Sequence, residues 1–154
     1  MRMRVVALSA SDYAAWQANQ LEDAKVPTDA LAKKGMETFR TSCSGCHLVS
    51  GPGGNDDVYK GTAQVSGAAP NLTHFASRGV FAGGVFDTWV DQNGNGEIDI
   101  AERGKQLNVA DLEAWLRDPP GRKPMYPEGS RGMPNLNLTD EQIKALVAYL
   151  ETLE

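Results

Sequence analysis

The stretch "TSCSGCHLVSG", Thr41 to Gly51, holds both cysteines of the chain, Cys43 and Cys46, and one of its two histidines, His47. Two thiols this close can be a redox dithiol, half of a metal site or a covalent anchor for a haem. A structural zinc site needs a second pair of ligands, and apart from carboxylates only His74 remains to offer itself. A thioredoxin-like dithiol needs a βαβ setting, and no such alternation is present. The histidine directly after the second cysteine has a use only in the third case. Two thiols at this spacing add to the two vinyl groups of one haem, and the next residue then lies beneath the iron. C-x-x-C-H is the attachment signature of c-type haem, and here it uses every cysteine the chain has.

Outward from this stretch the sequence reads as mainly helical. A helix is predicted from Asp29 to about Arg40, capped by Thr28, with Leu31, Gly35, Met36 and Phe39 available for packing. Gly35, Phe39 and Cys43 recur at intervals of four, which places a small and an aromatic residue on one face before the attachment site. The last helix has a capping box, Thr139 and Gln142. Its apolar stripe is Ile143, Leu146, Val147, Leu150 and Leu153, and Leu146 and Tyr149 suit a crossing with the first of these helices. A third helix runs from about Val109 to Arg117, capped by Asn108 and stopped by "DPPG". "SASDYAAWQANQLEDAK" reads as a further helix with Ser9 as N-cap; Tyr13, Trp16 and Leu21 are its large apolar residues. Met1 to Leu8 reads as a short strand or tail. The intervening "SGPGGNDDVYKGTAQVSGAAPNL" and "GRKPMYPEGSRGMPNLNL" have no period and are long enough to wrap a ligand. Met125 and Met133, in the second, are candidates for a sixth iron ligand.

Composition narrows the class. At 154 residues the chain is about one domain. Twenty acidic side chains against 15 basic give a net charge of −5, which argues against a nucleic-acid partner, because phosphate binding wants a basic face. No run approaches the roughly 18 apolar residues of a membrane span, and "VVAL" near the start is too short for a secretory core.

With these features the chain resembles the class I cytochromes c, over roughly residues 28 to 154. The carriers are G-x-x-x-F-x-x-x-C-x-x-C-H from Gly35 to His47, the terminal helix "ALVAYLETL" and the methionine in the loop before it. "APNLTHFASRGVFAGGV", "LEAWLRDPPGRKP" and "GMPNLNLTDEQIKALVAYLETLE" are similar to the cytochrome c domain at the C-terminus of subunit II of haem–copper oxidases. The resemblance implies a class I cytochrome c fold with long haem-wrapping loops. Residues 26–154 would be the cytochrome domain. Residues 1–25, strand plus helix, would be the segment leaving a preceding cupredoxin domain, with Met1 where that family places a copper ligand. No copper site can form here, since the accompanying cysteines and histidines are not in the chain.

The resemblance also implies roles. His47 is the proximal ligand and Met133 the distal one, with Met125 and His74 as weaker competitors. Pro70 offers its carbonyl to His47; Arg78 and Trp115 are candidates for the haem propionates. The implied function is electron transfer: one electron enters at the haem edge from a small soluble redox protein and leaves for a copper centre in the same subunit. Lys33, Lys34, Lys60, Arg122, Lys123 and Arg131 would form a partly basic rim for docking. Covalent haem attachment implies the periplasm or outer face of a bacterial plasma membrane, with membrane attachment only through parts outside this chain. The alternatives are a free-standing c-type cytochrome, or a haem sensor or enzyme with a displaceable methionine.

One stretch departs from the family pattern. "DQNGNGEIDIAE", Asp91 to Glu102, matches D-x-D/N-x-D/N-G-x5-E, the EF-hand calcium loop. Asp91, Asn93, Asn95, the Glu97 carbonyl, Asp99 and Glu102 fall on its ligand positions, Gly96 on its sharp turn and Ile98 on its apolar anchor. It reads as an inserted EF-hand-like loop holding one calcium ion in a structural role.

Overall fold

Asp29, not Thr28, starts the helix that leads to the cysteines. In the computed structural model, which describes residues 5–55, 69–127 and 131–154, one Asp29 carboxylate oxygen accepts the N–H groups of Leu31 and Ala32. That satisfies two of the orphan donors at a helix start. Met1 and Lys60 lie outside the described residues, as does most of the loop between Gly51 and Ala69.

Helix α1, Ala10–Asn19, begins at Ser9, whose hydroxyl accepts the Asp12 N–H. It buries no residue; Tyr13 and Trp16 stack on each other, 5.7 Å between centroids, on its exposed face. Residues 5–9 carry no regular structure, so the described part of the N-terminal segment is a tail and a helix, without the strand.

Helix α2, Ala30–Ser42, buries Ala32, Gly35, Met36 and Phe39, the i, i+3, i+4, i+7 stripe of a helix with one apolar face. The hairpin of β1 (Val80–Phe81) and β2 (Phe86–Asp87) follows, two residues a strand and too short to leave a period-two signal. A Trp89–Leu107 bridge then closes the base of the loop that carries residues 91–102, which contains one 3-10 turn at Ile100–Glu102. Helix α3, Val109–Arg117, is capped by Asn108 as expected. "DPPG" ends it but also starts another: Asp118 caps the single turn α4, Pro119–Arg122, with proline at its tolerated first position.

Helix α5, Asp140–Glu151, carries both halves of the Thr139–Gln142 capping box and buries Ile143, Ala145, Leu146, Val147, Tyr149 and Leu150. It crosses α2 at Gly35. A Cβ there would lie 2.0 Å from the Ala145 carbonyl oxygen and 2.6 Å from Tyr149 Cβ, so the approach admits only glycine. Phe39 and Tyr149 pack beside the crossing with rings 5.5 Å apart. Each such fully buried side chain contributes about 1.5–3 kcal/mol, and this crossing is the centre of the core. The architecture is mainly helical with long loops, the class I cytochrome c fold.

Candidate functional site

The end of α2 delivers the C-x-x-C-H stretch. The Cys43 N–H still bonds the Phe39 carbonyl at 2.8 Å, and the Cys46 and His47 N–H groups both return to the Cys43 carbonyl, at 3.0 and 2.9 Å. This tight turn sets Cys43 inward, Cys46 outward and His47 half-buried between them. No disulfide joins Cys43 and Cys46. Burial, with Cys46 nearby, pushes the Cys43 thiol up to about 11, so it is held uncharged.

The chain that follows is pinned from inside. Asn55, fully buried, accepts the Val49 N–H at 2.7 Å and donates to the carbonyls of His47 at 2.9 Å and Ser44 at 3.4 Å. The Tyr149 hydroxyl donates to the Gly53 carbonyl at 2.7 Å, and Arg40 donates to Gly54 and Pro52. Leu72 and Thr73 then bring in the next segment, through Leu72 N–H to Leu48 O at 2.7 Å and Ser50 N–H to Thr73 Oγ1 at 2.9 Å. Sequence reasoning missed Asn55 and the Tyr149 hydroxyl. A lone asparagine in a glycine-rich loop gives no periodic signal.

That segment places Pro70 against His47. The ring Nδ1 lies 2.8 Å from the Pro70 carbonyl oxygen; a carbonyl only accepts, so Nδ1 carries the proton and Nε2 keeps its lone pair. Burial holds His47 below its ordinary value, the Pro70 bond opposes this, and the Arg78 charge adds to the lowering. Arg78 donates to the carbonyl of Asn71, the next residue after Pro70, and its own carbonyl accepts the Trp89 indole N–H at 3.0 Å. Pro70, Arg78 and His47 are therefore brought together.

Trp115 stands at the end of an aromatic row. Phe75, Phe81, Phe86 and Trp115 contact in succession, with centroids 6.0, 5.2 and 6.3 Å apart. Leu72, Ala82, Phe86, Trp115, Met133, Leu136 and Leu138 each pack on the core while keeping surface exposed. Met125 is also half-buried, with Cγ 2.9 Å from where a Gly132 Cβ would stand. Lys33, Lys34, Arg122, Lys123 and Arg131 are exposed.

The loop from Asp91 to Glu102 is organised by its own side chains. Asp91 accepts the N–H groups of Gly94 and Gly96, each at 2.7 Å. Asn93 and Asn95 donate to one Asp99 oxygen at 3.0 and 3.2 Å. Glu102 is buried beneath and accepts from Gln92, Asn93 and Asp99. Gly96 takes φ +85°, Ile98 is buried and Glu97 is exposed. Among the described residues no three His, Cys, Asp or Glu side chains converge to hold a metal ion.

A helix ending in C-x-x-C-H, crossed by a C-terminal helix at a glycine, defines a class I c-type cytochrome. The cytochrome c family model matches residues 32–154, and the chain belongs to that family. Membership implies a covalent haem c. Over its whole length the chain is also similar to three proteins called cytochrome c oxidase subunit 2. The Bacillus sp. (strain PS3) protein is 34% identical over 157 residues, that of Alkalihalophilus pseudofirmus 29% over 160, and that of Bacillus subtilis 27% over 161. The chain spans about a third of each relative's length, 35% in all three. Among the described residues no helix is long and apolar enough to cross a membrane.

Proposed function

We propose that this chain is the electron-transfer domain of a terminal oxidase subunit II, with one haem c joined to Cys43 and Cys46 and ligated by His47 and Met133. The observation that carries the reading is the His47–Pro70 contact. It fixes the tautomer that leaves Nε2 for a metal, on the residue directly after two free thiols. The residues present fit the group: no disulfide joins the two cysteines, and Leu72, Phe86, Trp115 and Met133 each pack on the core with apolar surface still exposed, which a porphyrin would cover. When bound, the haem supplies a one-electron ferric–ferrous couple.

The chain's own residues set how that couple works. The Met133 thioether is neutral and soft, which favours ferrous iron and raises the potential. His47, held by Pro70, keeps one orientation through both redox states. Arg78 would offer its positive charge, and Trp115 its indole N–H, to the haem propionates. The exposed cations Lys33, Lys34, Arg122, Lys123 and Arg131 steer a small soluble redox protein to the haem edge. The electron then passes to a copper centre in the same subunit, outside this chain, on the outer face of a bacterial plasma membrane. The 1–25 segment is the connection to that copper domain. Calcium in the Asp91–Glu102 loop is a second, structural cofactor of this reading, supported by the full set of ligand positions.

The test is mass and spectrum together. Matured protein should weigh one haem more than the polypeptide, and its reduced spectrum should not change with carbon monoxide until Met133 is replaced by alanine. Bare polypeptide with free thiols would overturn the attachment. A carbon monoxide response in the unmodified protein would instead favour a sensor or enzyme with a displaceable methionine. Calcium should raise the melting temperature and a chelator lower it; no shift removes the calcium.

A further inference from the structure

The loop from Asp91 to Glu102 contains the chain's two Asn-Gly pairs, Asn93-Gly94 and Asn95-Gly96, and all four residues are exposed. In such a pair the glycine amide nitrogen attacks the asparagine Cγ. A new N–C bond closes a succinimide ring, the Cγ–Nδ2 bond breaks, and the side-chain nitrogen leaves as ammonia. Water then opens the ring at either carbonyl, giving aspartate or isoaspartate. Glycine permits this best because it has no side chain in the way, and no reactant other than water is needed.

Ring closure requires the glycine nitrogen to give up its proton and swing onto Cγ. Here both nitrogens are held by one group: Gly94 N–H donates to one Asp91 oxygen and Gly96 N–H to the other, each at 2.7 Å. A carboxylate accepting an N–H opposes loss of that proton and fixes the peptide plane. The amides under attack are restrained as well. The two Nδ2 groups donate to Asp99, while Asn93 Oδ1 accepts from the Asn95 N–H at 2.9 Å and Asn95 Oδ1 from the Glu97 N–H at 2.8 Å.

We propose that Asn93 and Asn95 are sites of spontaneous deamidation and that Asp91 sets their rate by holding both ring-closing nitrogens. Each conversion adds one negative charge to a chain already at −5. The aspartate product puts carboxylates at the two asparagine ligand positions of the motif. The isoaspartate product lengthens the backbone by one atom and breaks the turn that Asn95 or Glu97 closes. The inference rests on neither the haem nor the calcium.

The experiment incubates the full chain, Asp91→Asn, Asp99→Asn and a synthetic peptide of residues 91–102 at mildly alkaline pH with a chelator. Peptide mapping by mass spectrometry reads conversion at each asparagine. The unmodified chain should convert more slowly than the peptide at both sites. Asp91→Asn should convert about ten-fold faster than the unmodified chain, the rate equivalent of one charge-assisted hydrogen bond, and Asp99→Asn should accelerate less. Equal rates in chain and peptide, or in chain and Asp91→Asn, overturn the proposal. So does Asp99→Asn matching Asp91→Asn, because general loosening of the loop would then govern the rate.

Discussion

Two irregular segments of similar length are held in opposite ways. Residues 43–55 bond within themselves through Asn55 and the Cys43 carbonyl, but they are also tied to the rest of the molecule from α2, α5 and the Leu72–Thr73 segment, and Gly53 and Gly54 lie too close to other backbone to admit a Cβ. Residues 91–102 are held by their own carboxylates and amides, and Gly94 and Gly96 have nothing within 4 Å of where a Cβ would stand. The first is part of the core without being regular structure. The second is a self-contained unit set on a closed base. A segment held by the whole molecule shares its stability, whereas one that holds itself opens alone.

The contrast breaks most easily at the helix crossing that supports the first segment. Gly35→Val puts branched carbons into the Ala145 carbonyl and Tyr149, and about 3 kcal/mol or more is lost from global stability, read from denaturant midpoints at constant slope. Asn55→Ala removes three hydrogen bonds and strands buried backbone groups, costing about 2–3 kcal/mol. Tyr149→Phe keeps the ring and leaves the Gly53 carbonyl without its buried donor, costing about 1–2 kcal/mol. If either of the last two changes left the midpoint where it was, residues 43–55 would be as independent as residues 91–102.

The same contrast explains what was legible. α2 and α5 follow local rules, caps and an apolar stripe, and were readable in place, with the α2 start moved one residue from Thr28 to Asp29. In residues 91–102 too, Asp91, Gly96, Ile98 and Glu102 take their relation from spacing alone. Asn55 was not readable, because its partners are 6, 8 and 11 residues back, across a turn that exists only once Cys43 and His47 are placed. The Tyr149 hydroxyl reaches a carbonyl 96 residues away. α4 was hidden because proline signals both the stop of one helix and the first turn of another. The C-x-x-C-H stretch and Pro70 were found through chemistry and resemblance, with no help from periodicity.

On residues 91–102 the effects are smaller and local. Gly96→Ala meets no neighbour but must hold φ +85°, which costs about 1–2 kcal/mol, felt in the loop and not in the global midpoint. Acid separates the two segments most finely. The N–H groups of Gly96 and Gly94 hold the Asp91 carboxyl below its ordinary value. A carboxylate lowered in the folded state stabilises above the ordinary aspartate pKa of about 4, and that contribution goes as pH falls through the lowered value. The Gly94 and Gly96 amide resonances should therefore shift together in that acid range, with a midpoint below an unperturbed aspartate. The Val49 amide is held by Asn55, a side-chain amide that does not titrate, and its resonance should stay still. Should Val49 move in step with the two glycines, acid is opening the core along with the loop, and the two segments are not independent.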